Sequence, residues 1–89
     1  NREAGKGRFD IQLLPLKRQL PGVLIELKAG KDCSEQKLEG LADTALAQIN
    51  DRQYSIEMNS QGIKTILKYG IAFSGKDVRV KADTETNEE

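Results

Sequence analysis

The stretch PGVLIELKAG, residues 21–30, decides how this chain is read. Val23, Leu24, Ile25 and Leu27 are strand formers bounded by Pro21-Gly22 and by Gly30, so the run predicts a largely buried β-strand. Two charges interrupt it. Side chains alternate along a strand, so Glu26 and Lys28 share one face while Val23, Ile25 and Leu27 share the other. Desolvating an unpaired charge costs several kcal/mol, so charged residues are rarely buried without a partner. Glu26-Leu27-Lys28 is therefore either a structural ion pair or a site.

Immediately upstream, RFDIQLLP at residues 8–15 alternates in the same way, with Phe9, Ile11 and Leu13 on one face and Asp10, Gln12 and Leu14 on the other. Aspartate is depleted in strands, so Asp10 needs a reason to be there. A polar connection, LKRQLP, joins the two runs. With Leu14 opposite Leu24 in an antiparallel pair, Gln12 faces Glu26 and Asp10 faces Lys28. Asp10 and Glu26 are then diagonal neighbours with Cβ atoms about 7 Å apart. One ion could touch both.

After Asp32 the apolar period changes. Leu38, Leu41, Ala42, Ala45, Leu46 and Ile49 form the stripe of an amphipathic helix running to about Asp51. Asp32 followed by Glu35 has the form of a capping box, which places the helix start near Cys33. Gln48 lies at the flank of the stripe and can look toward the sheet edge. QYSIEMNSQ, residues 53–61, predicts a short second helix covered by Tyr54, Ile56 and Met58 and ended by Gly62. IKTILKYGIAFS, residues 63–74, is a long strand with apolar residues at Ile63, Leu67, Tyr69, Ile71 and Phe73. Gly75-Lys76 is a hairpin signal, and DVRVK at residues 77–81 returns as an edge strand with Val78 and Val80 inward and its charges outward. Residues 82–89, ADTETNEE, read as a disordered acidic tail. The pattern predicts an α/β (α+β) layer: a mixed central β-sheet of about four strands with a crossover helix, right-handed from Lys28 to Thr65.

Eighty-nine residues make one small domain, residues 1–81 with the tail beyond it, and leave no room for a second core. NREAGKG at residues 1–7 is an irregular lead-in whose Gly5-Lys6-Gly7 lacks the spacing and following helix of a phosphate loop. A polar start without Met reads as a piece of a longer chain. Net charge is zero, but the four acids of residues 82–89 leave the body with 10 acids against 14 bases. That mild excess is compatible with a phosphate backbone as partner without arguing for one. Histidine is absent and Cys33 is the only cysteine, which excludes an internal disulfide, a histidine base and zinc sites of the Cys/His kind. Hard oxygen ligands remain. No apolar run approaches the roughly 18 residues of a membrane span, and no signal-peptide pattern is present, so a reducing cytoplasm is the expected location.

An Asp on one strand and Glu-x-Lys on the next supply two carboxylates for a hard cation and a lysine beside it. Mg²⁺ or Mn²⁺ held in this way keeps several waters and meets substrate phosphates, which suits phosphodiester hydrolysis. In that division of labour Asp10 and Glu26 hold the metal and the Leu27 carbonyl can add a ligand. Lys28 orients or helps deprotonate the attacking water and offsets phosphate charge.

These residues resemble the PD-(D/E)XK nuclease superfamily, whose signature is an Asp at a strand start, then Glu or Asp, any residue and Lys on the adjacent strand. More narrowly, GRFDI at residues 7–11, LIELK at 24–28, ALAQIND at 45–51 with Tyr54, and GIKTILKYGIAFSGKDVRV at 62–80 resemble a nuclease-like domain. That domain is found at the C-terminus of bacterial proteins with an ATPase-like N-terminal domain. The likeness spans most of residues 1–81; the three-letter motif is weakly specific, and the four blocks in order are much stronger. It implies a restriction-endonuclease-like sheet flanked by helices, with Asp10, Glu26 and Lys28 as the catalytic site and Gln48 as a helix-borne accessory. It also implies nucleic acid, DNA in the first instance, as substrate, and an ATPase-like domain of the same parent chain as partner. Phe9 stands where the motif's Pro would be, and Glu3 matches an additional acid that many members place ahead of the sheet. The alternative is a catalytically inactive nucleic-acid-binding or regulatory module attached to that ATPase-like domain. Tyr54 and Tyr69 read as core residues, with stacking on bases as the other possibility. Lys64, Lys68, Lys76, Arg79 and Lys81 are either a solvated surface or a phosphate contact.

Overall fold

A computed structural model describes residues 8–17, 19–51 and 54–87, the side chains of Arg8 and Phe9 excepted. The lead-in with Glu3 and Gly5-Lys6-Gly7 lies outside the described residues. The elements are β1 (Arg8–Leu13), β2 (Gly22–Ala29), α1 (Glu35–Asp51), α2 (Tyr54–Ser60), β3 (Thr65–Ser74) and β4 (Asp77–Thr86). They build one mixed sheet in the order β1-β2-β3-β4, in which β2 and β3 run parallel and the outer pairs antiparallel. A parallel pair cannot be closed by a tight turn, so the β2-to-β3 connection carries both helices. This is the mixed α+β layer that the sequence predicts. None of the described helices is long and apolar enough to cross a membrane.

The helix ends follow local chemistry. Ser34, not Asp32, caps α1: the Lys37 N–H donates to Ser34 Oγ at 3.2 Å, and the Leu38 N–H to the Ser34 carbonyl at 2.9 Å. Asp32 has φ 52°, a left-handed conformation that turns the chain ahead of the helix. At the far end of α2, Gly62 takes φ 91°. Its N–H donates to the Asn59 carbonyl at 3.0 Å, and the Ile63 N–H to the Met58 carbonyl at 3.1 Å, the paired closure of a Schellman motif. Gly75 at φ 60° makes the Gly-first hairpin into β4.

Both helices pack on one face of the sheet. Leu38, Ala42, Ala45 and Ile49 are the buried stripe of α1. Leu38 and Ala42 meet Ala72, while Ile49 joins Leu24, Met58, Ile63 and Ile66 in a second cluster. The small residues of β3 draw the helix in. A Cβ at Gly70 would stand 2.5 Å from both the Ala42 carbonyl oxygen and the Leu46 nitrogen, so backbone rests on backbone there. The bulkier residues Leu67, Tyr69, Ile71 and Phe73 alternate onto the opposite face, which neither described helix covers.

Two expectations about β4 are corrected. Val78 and Val80 lie on the uncovered face, each 51% exposed, and Arg79 and Lys81 turn inward. The reason is the flank of α1 above them, which is acidic: Arg79 Nη2 lies 3.0 Å from Glu35 Oε2 and Lys81 Nζ lies 3.7 Å from Asp43 Oδ1. The strand also runs on to Thr86, with residues 82–86 paired to residues 65–69, where a disordered tail is expected from sequence. Lys68 explains the extension. It is only 6% exposed, on the helix face, and its ammonium donates to Glu85 Oε1 at 2.6 Å and to Asn50 Oδ1 at 2.7 Å. Asn87 completes the network through Nδ2, which donates to Glu85 Oε2 at 2.9 Å and to Asn59 Oδ1 at 3.1 Å.

The Asn87 amide, followed by the Lys68 ammonium, holds the Glu85 carboxyl below its ordinary value of 4.5. A depressed folded-state pKa contributes stability that is complete above 4.5 and is lost as pH falls through the lower value. In urea unfolding, Glu85→Gln is therefore expected to be less stable than wild type at neutral pH, with the gap closing below pH 4.5. Gly70→Ala forces α1 off the sheet and is expected to cost about 1–3 kcal/mol, read from the same unfolding midpoint.

Candidate active site

The β1–β2 hairpin sets the site. Asp10 stands directly opposite Glu26, Gln12 opposite Leu24 and Arg8 opposite Lys28. This register is two residues away from the expected one, which faced Asp10 with Lys28. The pairing ends at Leu13 and Val23, so Leu14 belongs to the connection, which Pro15 and Pro21 help to keep out of the ladder. Directly opposed residues have Cβ atoms about 4.5–5.5 Å apart, closer than the diagonal spacing. The two carboxylates are thus brought nearer than the sequence implies.

Glu26 is 0% exposed, on the helix face of the central part of the sheet. Asp10 is half-buried, and the Tyr54 hydroxyl at the start of α2 donates to its Oδ2 at 3.0 Å, which fixes that carboxylate on the same face. Lys28, half-buried, is the next residue of β2 on this face. Leu27 turns its side chain to the other face, and its part in the site is confined to the backbone between Glu26 and Lys28. On β3 the register neighbour of Glu26 is Gly70, so α1 rests beside the buried carboxylate.

Gln48 is carried by α1. Asp43 and Asn50 mark the flank of that helix that reaches Lys81 and Lys68. At 100° per residue Gln48 projects about 140–160° round the axis from them, toward the β2 side. Its Oε1 is buried and accepts no hydrogen bond among the described residues. The structure therefore brings Asp10, Glu26, Lys28 and Gln48 onto one side of the sheet. Sequence reasoning missed the polar role of Tyr54. Its ring does pack against the core cluster, as expected, but a partly buried tyrosine also places its hydroxyl on a partner, and that partner is Asp10. Of the cations read as either a solvated surface or a phosphate contact, Lys68, Arg79 and Lys81 pair with Glu85, Glu35 and Asp43.

The donor set suits a hard divalent cation: two facing carboxylates and a buried amide oxygen, all oxygen. No group of three or more Cys, Asp or Glu assembles among the described residues, so the protein would not form a complete cage of its own. Mg²⁺ sites of this kind draw on one or two carboxylates and leave the other positions to water and phosphate.

A mixed sheet whose hairpin carries an acid opposite Glu-x-Lys is the arrangement of a nuclease-like domain. The model of the PD-(D/E)XK nuclease superfamily matches residues 1–83, and the chain belongs to that superfamily. No curated protein and no solved structure gives a significant match.

A buried acceptor with no donor costs about 1–3 kcal/mol. Gln48→Met keeps the length of the side chain and removes that oxygen, so thermal unfolding in a chelator is expected to show a variant as stable as wild type or more so, by about 1 kcal/mol.

Proposed function

We propose that this chain is a metal-dependent nuclease domain that hydrolyses phosphodiester bonds in DNA and works beside an ATPase-like domain of the same parent protein. The observation that carries the reading is the register that sets Asp10 against Glu26 on the face bearing Lys28. Asp10 and Glu26 would hold Mg²⁺ or Mn²⁺, with the Leu27 carbonyl as a further ligand. Bound there, the ion supplies Lewis-acid polarisation of a phosphodiester and favours ionisation of water. Glu26, screened from solvent, acts on a cation through a lower effective dielectric than a surface acid would. Lys28 presents its ammonium beside the carboxylates, where it offsets phosphate charge and steadies the water that attacks. Gln48 offers its amide from the helix side, an acceptor for a proton of that water.

Nicking of supercoiled plasmid with Mg²⁺ or Mn²⁺ tests this. Lys28→Ala is expected to lower the rate by about 10²–10⁴-fold, the usual range for a positioned proton-handling group. Calorimetry is expected to show Mn²⁺ binding retained in Lys28→Ala and lost in Asp10→Asn. A folded wild-type chain that neither nicks DNA nor binds Mn²⁺ would replace this reading with that of a catalytically inactive regulatory module.

A further inference from the structure

The alternation that gathers charge on the helix side leaves the other side of the sheet without any. No Asp, Glu, Lys or Arg of β1–β4 falls on the face away from the helices among the described residues. One rung across the four strands reads Ile11, Ile25, Tyr69 and Ala82, and the next toward the Gly75 hairpin carries Leu27, Ile71 and Val80. Leu13, Val78 and Val80 on this face are each 51% exposed, and Phe73 is 37% exposed. At about 4.8 Å between strands and about 3.3 Å per residue, four strands of about eight residues outline roughly 500 Å². Contiguous apolar patches larger than a few hundred Å² are rare on monomeric proteins.

We infer that this face is the interface of a homodimer, in which two copies of the chain stack their sheets face to face about a two-fold axis. A face without charge offers nothing to a phosphate backbone and lacks the basic residues that hold a protein to an anionic lipid surface. The occupant it fits is equally flat, equally uncharged and twisted by the same hand, and a second copy supplies all three. Two such sheets pack about 10 Å apart with their strands within about 30° of each other, and the side chains interdigitate into one core. A two-fold contact sets the same patch on both sides, so a charged patch would meet its own sign; this one has none to meet. With the relief of its side chains, the outline reaches the scale of about 600 Å² per partner at which specific interfaces begin. Ile25 and Tyr69 are register neighbours at the middle of the face, which places an aromatic ring where interface energy concentrates. Thr65, Thr84 and Thr86 form a polar rim at one end. Asp10, Glu26 and Lys28 lie on the opposite face of the sheet, so the two candidate sites of the dimer point away from one another.

Sedimentation equilibrium of the whole chain over a range of concentrations tests this. Wild type is expected to show twice the mass of the chain and to dissociate on dilution. Tyr69→Lys and Tyr69→Glu, each with its fold checked by far-UV circular dichroism, are expected to weaken association by about 30-fold or more, the scale of a central interface residue. An equimolar mixture of the two, whose charges oppose, is expected to regain the dimer. Lys37→Glu, an exposed change on α1, is expected to leave it intact. A second measurement uses wild type alone: the methyl NMR signals of Ile25 and Ile71 are expected to shift on dilution, while those of Ile49 and Ile66, buried under the helices, stay in place. Wild type that is monomeric at every concentration overturns the proposal. So does a dimer that survives both Tyr69 variants, which assigns the contact to another surface. Monomeric wild type that sediments with vesicles of neutral phosphatidylcholine overturns it in favour of a lipid occupant. Plasmid nicking reads the opposite face of the sheet, so the nuclease reading stands or falls separately.

Discussion

The structure depends on the place where α1 touches the sheet without a side chain in between. At Gly70 the helix backbone meets the strand backbone, and no other residue type fits that approach without moving one of them. The contact seats α1 as a ridge along the middle of the helix face. Charged groups to either side of it live under different rules. On the β4 side, Lys68, Arg79 and Lys81 are each matched with an acid. On the β1–β2 side, two acids face one another with a lysine nearby and a glutamine oxygen turned inward.

The β4 side shows how the fold holds charge of its own. Lys68 is nearly excluded from water, and its two short hydrogen bonds, with Asn87 bracing Glu85 from behind, make the far strand part of the domain. Such a network satisfies each member. Like charges directly opposite on neighbouring strands are unusual, and Asp10 and Glu26 in register set this hairpin apart from the rest of the sheet.

Much of this was legible in the residues. Alternation placed Glu26 and Lys28 on a shared face, the stripe from Leu38 to Ile49 identified the helix, and Gly62 and Gly75 marked its successor's end and the hairpin. Alternation, however, defines two faces without saying which is inner. VRVKADTET reads equally well with its valines in or out, and the acids of α1 chose the second. The β1–β2 register slipped by two because Leu14 is as apolar as a strand residue and only the paired backbone shows where the ladder stops. Asp32, read as the cap, takes a left-handed φ and leaves that place to Ser34, a difference that composition does not encode. Glu85 looked like one acid in a solvated run because its partner, Lys68, looked like one more surface base; each is intelligible only once the face of the other is known. The hydroxyl of Tyr54 was hidden for the same reason, since the residue it reaches lies 44 positions earlier.

The hairpin origin of the two acids bears on the order in which the molecule comes together. Asp10 and Glu26 are close in sequence and can meet while still hydrated, whereas the parallel pairing of β2 with β3 must close a loop containing both helices. Long closures of this kind are slow steps in assembly. The two acids therefore come together before α1 and α2 settle beside them, and their loss of water belongs to a later stage of assembly than their pairing.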